Sequence, residues 1–194
     1  MAKMKKTRLS FKLLCLLFLV VTIFSCIVIS QKPLGEKQSS IIDPNLLGIW
    51  YNVKEEGYLA ILKRDDGYLK FILFDNSDEP PLELQGYISQ IDKERYLNLQ
   101  LIETVNDKRE PKKYYIFAHY YINQNNELAI SLFNYDFFKK AIKAGLIKGE
   151  IKNKSIMDLK LTDSTKNLIN FIKNHKKEEY LDKAIILKKM RPEP

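Results

Sequence analysis

The chain has 194 residues, of which 45% are hydrophobic and 11% aromatic, and its formal net charge is +8. This composition excludes disordered, collagen-like and low-complexity chains, and the length suits one domain. The charge is uneven: residues 1–26 hold five basic and no acidic side chains, residues 27–138 hold 12 basic and 17 acidic ones, and residues 139–194 hold 15 and 7. Without its first segment the chain lacks the concentrated basic face that phosphate binding needs, so we predict no nucleic-acid partner.

The N-terminal segment has the pattern of a membrane signal. A basic run ends at Lys12, and no residue from 13 to 31 is charged. The apolar part enters the bilayer as a hydrophobic helix, while the basic cluster stays on the cytoplasmic side. We therefore predict that residues 1–30 are a leader or membrane anchor, and that the body lies on the non-cytoplasmic side of the membrane.

Two fates remain open for this segment. Its residues Ile23-Phe24-Ser25-Cys26 resemble the bacterial lipoprotein signal, with an aliphatic residue three before the cysteine and a small residue just before it. The resemblance implies cleavage before Cys26, lipid attachment at Cys26, and a body that is anchored in a bacterial cell envelope. In the alternative, the segment is not cleaved: the 18 residues 13–30 span about 27 Å as a helix, which suits a single-pass anchor.

The rest of the chain divides into a linker and one domain. Residues 31–45 place Pro, Gly and Ser among polar residues, and we predict a flexible tether. Residues 46–190 form the predicted domain. The two cysteines, Cys15 and Cys26, both precede it, so it has no internal disulfide.

The domain is predicted to be mainly β, in the α+β class. Alternating apolar residues and turn signals indicate strands at 48–53, 58–63, 68–74, 82–91, 96–103, 113–122 and 127–133, with a bulge at Gly86. The short connections favour an antiparallel meander that forms a barrel or strongly curved sheet. Two short C-terminal helices, begun by Asn134 and by Asp163, are predicted to cover an open end, and short strands are expected at 149–152, 155–161 and 184–188.

The start of this meander is similar to that of the lipocalins. Leu47-Gly48-Ile49-Trp50-Tyr51 matches the Gly-x-Trp that begins their first strand, where the tryptophan closes the barrel floor. The resemblance implies an apolar ligand inside a calycin-like barrel. The residues expected to bind such a ligand are Trp50, Tyr68, Phe74, Tyr87 and His119.

Catalytic patterns are missing from the sequence. The two histidines, His119 and His175, are far apart and have no cysteine nearby, so we predict no metal site and no cofactor. The paired carboxylates fall in turns, which favours solvated charges over acid–base catalysis. We predict a non-catalytic, membrane-tethered protein that binds a small hydrophobic ligand or an envelope component. The alternatives are a single-pass membrane protein with a structural or interaction role, or a hydrolase built from scattered carboxylates.

Overall fold

The computed structural model describes residues 27–37, 40–52, 54, 57–74, 80–103, 112–152 and 158–190. The predicted leader, up to and including Cys26, lies outside these residues. Eleven strands are assigned in the described part: β1 (Val28–Ser30), β2 (Gly48–Asn52), β3 (Gly57–Lys63), β4 (Leu69–Phe74), β5 (Leu82–Ile91), β6 (Glu94–Glu103), β7 (Lys112–Ile122), β8 (Glu127–Leu132), β9 (Gly149–Ile151), β10 (Leu159–Leu161) and β11 (Ile185–Lys189).

Eight of these strands form a closed antiparallel barrel. Strands β2 to β8 each pair with the next one along the chain, as the predicted meander requires. Strand β11 closes the ring because it pairs with β8 on one side and with β2 on the other. The mainly β prediction is confirmed, and the closed barrel is compatible with the lipocalin-like architecture.

Residues on each strand alternate between the inside of the barrel and its outer wall. On β6 and β7, Leu97 pairs with Ala118 and both belong to the interior cluster, whereas Tyr96 pairs with His119 on the outside. The interior cluster consists of residues from all eight strands and the segment before β2: Leu46, Trp50, Ile61, Leu69, Phe71, Ile88, Leu97, Ala118, Tyr120, Leu128 and Leu187.

The helices pack on the outer wall of the barrel. They are α1 (Tyr135–Lys143), α2 (Thr165–Lys173) and the single turn α3 (Lys177–Tyr180). Phe138 of α1 and Leu168 of α2 share a core with Tyr96 and Phe117, which point outward from β6 and β7. The expectation that the helices cover an open end is therefore wrong. They cover instead an outer wall that is itself apolar, which gives the molecule a second core.

The helix starts follow the sequence signals closely. Asn134 caps α1, and its side chain accepts a hydrogen bond from the backbone N–H of Phe137 at 2.8 Å. Ser164 rather than Asp163 is the N-cap of α2. The Asp163 carboxylate instead accepts hydrogen bonds from the backbone N–H of Lys148 at 3.0 Å and from the side chain of Asn167 at 2.7 Å. Asp163 thus joins the start of α2 to the loop after α1.

The largest difference from the sequence expectation lies at residues 27–30. Val28–Ser30 form β1, which pairs with β10 in parallel and with the first half of β7 antiparallel. Strand β8 pairs with the second half of β7 on the same side, so β1 continues the wall where β8 ends. Ile29 faces the barrel interior and is 3% exposed. The folded body therefore includes the last residues of the predicted membrane segment.

The segment predicted as a flexible linker also packs on the barrel wherever it is described. Leu34 is buried, and its backbone N–H donates to Asn98 Oδ1 at 2.7 Å. Further along, Pro44–Leu46 form a 3₁₀ turn, and Leu46 is buried under the barrel. These contacts fix the path of the chain to β2.

Gly86 is not a bulge. The pairing of β5 with β4 and β6 runs through it without an extra residue. A Cβ atom at this position would lie 2.6 Å from the backbone oxygen of Asn98. The glycine is needed because β5 and β6 approach each other closely here.

Candidate functional site

One end of the barrel is sealed, and Trp50 forms the seal. This closed end carries the turns at 64–68, 92–93 and 123–126 and the segment 41–47. Trp50 is fully buried, and its Nε1–H donates to the backbone oxygen of Leu46 at 2.9 Å. The Nζ atom of Lys189 lies 5.0 Å from the centre of the Trp50 ring. The tryptophan thus closes the barrel floor, as the resemblance implies.

The other four predicted ligand-binding residues lie on the outer wall. Tyr87 is buried and donates from its hydroxyl to the backbone oxygen of Gly35 at 2.8 Å, and its ring centre is 6.0 Å from that of Tyr68. Phe74 is exposed and stacks on Tyr58, with ring centres 5.1 Å apart. The structure therefore does not bring Trp50, Tyr68, Phe74, Tyr87 and His119 together into one pocket.

His119 is buried on the outer wall, where it belongs to a row of side-chain contacts with Glu94 and Lys177. Its Nε2 is 2.6 Å from Glu94 Oε2, and Glu94 Oε1 accepts from Lys177 of α3 at 2.6 Å. Burial lowers the pKa of His119, although the neighbouring carboxylate of Glu94 opposes this effect. The hydrogen bond from Lys177 is the main cause that lowers the pKa of Glu94. The contacts between His119, Glu94 and Lys177 join α3 to β6 and β7.

The opposite end of the barrel is open and apolar. There the strands end near Phe74, Leu82 and Ile185. Leu73 and Leu82 pair with each other and share a face with the interior residue Leu59, and Ile185 pairs with Ile130, which packs against the interior cluster.

Burial along the inside of the barrel falls towards this open end on β4, β5 and β11, whereas Ile29 of β1 and Tyr114 of β7 stay at most 9% exposed. Near the closed end the inward side chains of Trp50, Ile88 and Leu128 are at most 1% exposed. Three inward-facing aliphatic side chains at the open end are over 40% exposed: Leu73 (41%), Leu82 (43%) and Ile185 (44%). The interior is therefore packed at one end and presents an apolar rim along β4, β5 and β11 at the other, which we call the apolar mouth.

A cleft of about 480 Å³ lies at the closed end, outside the packed interior. We call it the rim cleft. Its lining residues come from the segment before β2 and from the strand ends and turns around β6, β7 and β8: Asp43, Asn45, Lys93, Glu94, Arg95, Tyr120, Tyr121, Ile122 and Asn126. Tyr121 is 50% exposed there.

Two carboxylates that are distant in sequence meet in the rim cleft, and both are engaged by donors. Asp43 accepts from Arg95, from the Tyr120 hydroxyl at 3.2 Å and from the backbone N–H of Asn45 at 3.1 Å. Glu94 is held by Lys177 and His119 as described. A general acid needs a raised pKa, whereas the pKa of Glu94 is lowered. The arrangement favours fixed charges over acid–base catalysis.

The described ranges hold neither a metal-ligand cluster nor a membrane-spanning helix. No group of three His, Cys, Asp or Glu side chains there is placed to hold a metal ion. No helix within the same ranges is both long and apolar enough to cross a bilayer.

Sequence reasoning missed the residues of both the apolar mouth and the rim cleft. Leu82 carried a usable signal, because it alternates with polar residues on its strand, whereas both faces of the strand that holds Leu73 are apolar. Lys93 and Arg95 looked like ordinary turn residues, and nothing in the sequence brings Asp43 to them. Comparison with protein-family models, curated proteins and solved structures finds no match for this chain.

Proposed function

We propose that this chain is a membrane-tethered, non-catalytic envelope protein whose barrel binds a small hydrophobic ligand at the apolar mouth. The main support for this proposal is the exposure of Leu73, Leu82 and Ile185, which face inward at the open end. Burying apolar surface is worth about 25 cal/mol per Å², so an apolar ligand that covers these side chains gains affinity from contact alone. Pockets for such ligands commonly lie at barrel mouths.

The path of the chain supports a cleaved leader with lipid on Cys26. Residues Val28–Ser30 cannot belong both to strand β1 and to a membrane-spanning helix of residues 13–30. If β1 keeps them and Ile27 stays buried beside Ile29, only the 14 uncharged residues 13–26 remain, or about 21 Å of helix. That is shorter than the roughly 30 Å hydrocarbon core and typical of a signal-peptide apolar region. The single-pass anchor is therefore the weaker alternative.

The ligand proposal is tested by photo-crosslinking in intact cells. Cells that express the full chain are fed a palmitate analogue with a diazirine and an alkyne, then irradiated, and crosslinked peptides are counted by mass spectrometry. We expect irradiation-dependent labelling of β4 and β5 that falls several-fold in Leu82→Asp and Ile185→Asp, because a charge at the mouth disfavours an acyl chain.

Leu62→Asp is the matched control. Leu62 is 44% exposed, like Ile185, but it lies on the outer wall of β3, since it alternates with the interior residue Ile61. Equal labelling of all three variants and the wild type, or no labelling of the barrel, would refute ligand binding at the mouth.

Lipid attachment is tested without irradiation in the same cells. The wild type and Cys15→Ser should incorporate the analogue, whereas Cys26→Ser should not. This pair is informative because Cys15 and Cys26 are the chain's two cysteines. Absence of label from the wild type would contradict acylation and leave the uncleaved anchor as the tether.

An interaction role has its own support on the outer wall of β2 to β4. Ile49 and Leu62 are more than 40% exposed there, and Tyr51, Tyr58 and Phe74 form a continuous ring contact. A partner protein that covers this wall would bury it. This role predicts that Leu62→Asp, and not the mouth variants, changes the proteins that are recovered with the full chain when it is purified from the cells.

A further inference from the structure

The rim cleft is separate from the apolar mouth and differs from it in chemistry. It lies at the closed end, where Trp50 and Leu46 seal the barrel. At about 480 Å³, it falls in the size range of small-molecule sites. Its lining is mostly charged or amide side chains, together with the exposed ring of Tyr121.

The carboxylates of the rim cleft are neutralised within the protein. Asp43 has 5% of its side chain exposed and is paired with Arg95. Glu94 is paired with Lys177 of α3, with Nζ and Oε1 2.6 Å apart. These pairs fix Asp43 and Glu94 in place, so neither has a free negative charge to offer a ligand.

The cations of the rim cleft are in excess. Lys93 is exposed, and no carboxylate of the described ranges forms a salt bridge with it. Arg95 keeps 45% of its side chain exposed beyond its contact with Asp43. Lys189 lies at the border, because its Nζ donates to the backbone oxygen of Asn45 at 3.0 Å. Since Arg95 balances Asp43, Lys189 is the second positive charge, after Lys93, that has no carboxylate partner among the described residues. The positive charge that remains faces the solvent.

We propose that the rim cleft binds the phosphate group of a small phosphate ester, with Lys93 and Arg95 on the phosphate oxygens. Arginine suits this role because its planar donors match two oxygens at once, and the amides of Asn45 and Asn126 supply further donors. The exposed ring of Tyr121 accepts the apolar or aromatic part of the ester. The source is either a soluble phosphate ester or the headgroup of a phospholipid.

Phenyl phosphate is the probe for this site. The full chain, in nanodiscs of phosphatidylcholine, is titrated with the probe by isothermal calorimetry. We expect saturable binding that is about tenfold weaker in Lys93→Gln, because one charged hydrogen bond is lost. Lys166→Gln, an exposed lysine variant on α2, should bind like the wild type. No saturable binding, or equal weakening in Lys93→Gln and Lys166→Gln, would overturn the proposal.

Two further measurements test the role of the Tyr121 ring and distinguish a phospholipid headgroup from a soluble phosphate ester. Tyr121→Ala should weaken phenyl phosphate but leave inorganic phosphate unchanged, and an equal loss of both would refute the role of the ring. Short-chain phosphatidic acid is then used as a competitor. If phosphatidic acid displaces phenyl phosphate at a lower concentration than glycerol phosphate does, the site is assigned to a phospholipid headgroup. The reverse order assigns it to a soluble ester. Failure of both to displace the probe would overturn the phosphate assignment.

Discussion

His119 shows how the environment of one side chain decides its role. Its neighbours along β7, Ala118 and Tyr120, point into the barrel, so His119 points out and cannot line the ligand space. It is buried there against Tyr96, with ring centres 5.4 Å apart, and its polar contact is with Glu94. A residue that looked like a pocket group in an aromatic strand thus belongs to the packing of the outer wall.

The lowered pKa of His119 predicts a pH-dependent stability. The unfolded chain binds a proton on this histidine near pH 6.5, while the folded chain resists it. The free energy of unfolding should therefore fall as the pH drops below about 6.5. Around His119 stand Glu94, Lys177, Tyr96 and Tyr121. The contribution of Glu94, whose pKa is lowered from 4.5, is lost at more acid pH.

The measurement is denaturant unfolding between pH 5 and 7.5 in the wild type and His119→Gln. Glutamine keeps a donor for Glu94 but does not titrate, so the slope of the unfolding free energy against pH should flatten. His175→Gln is the control, since His175 contacts the end of α2 instead. An unchanged slope in His119→Gln would contradict burial of a neutral histidine.

At the scale of elements, β1 is the least expected strand. It was hidden because its residues continue an uncharged apolar run, and such a run has no period that separates a buried strand from a membrane helix. The strands β2 to β8 were predictable because each alternates and ends at a turn signal, such as Gly67, which has a φ of 79°. Alternation alone could not show which face of a strand points into the barrel when both faces are apolar, as on β4.

Replacement of Ile29 tests whether β1 belongs to the barrel. Ile29→Ala should lower the free energy of unfolding by about 2–5 kcal/mol, because it leaves a cavity in a packed interior. Ile49→Ala, at 42% exposed on the outer wall of β2, should cost less than about 1 kcal/mol. Equal, small effects of both substitutions would place Ile29 outside the folded core. Denaturant unfolding of the two full-length variants provides the comparison.

For the whole molecule, the candidate sites were harder to predict than the fold. The antiparallel barrel follows from local patterns, whereas the rim cleft requires Asp43 to meet Arg95 and Tyr120 from distant parts of the sequence. The apolar mouth depends on which end is sealed, and that is set by how Leu46 and Trp50 pack. Neither juxtaposition is encoded in the spacing of nearby residues.

Closure of the barrel by β11 predicts a spectroscopic change on truncation. Trp50 is the chain's one tryptophan, and it pairs with Lys189 of β11. A chain that ends before residue 185 should show red-shifted tryptophan emission, since the ring loses its cover and meets water. A chain that ends at Met190 keeps β11 and should emit like the wild type. Identical spectra from all three chains would contradict closure by this strand.

The pairing of the chain's two extremes also has a consequence for how the protein reaches its folded state. Strand β1 needs β10, and β2 needs β11, so the first strands that are synthesised wait for strands from late in the chain. Closing such long loops is slow because it costs conformational entropy. Until then the early strands have unpaired apolar edges. The intermediate is thus prone to aggregate until the late strands are made.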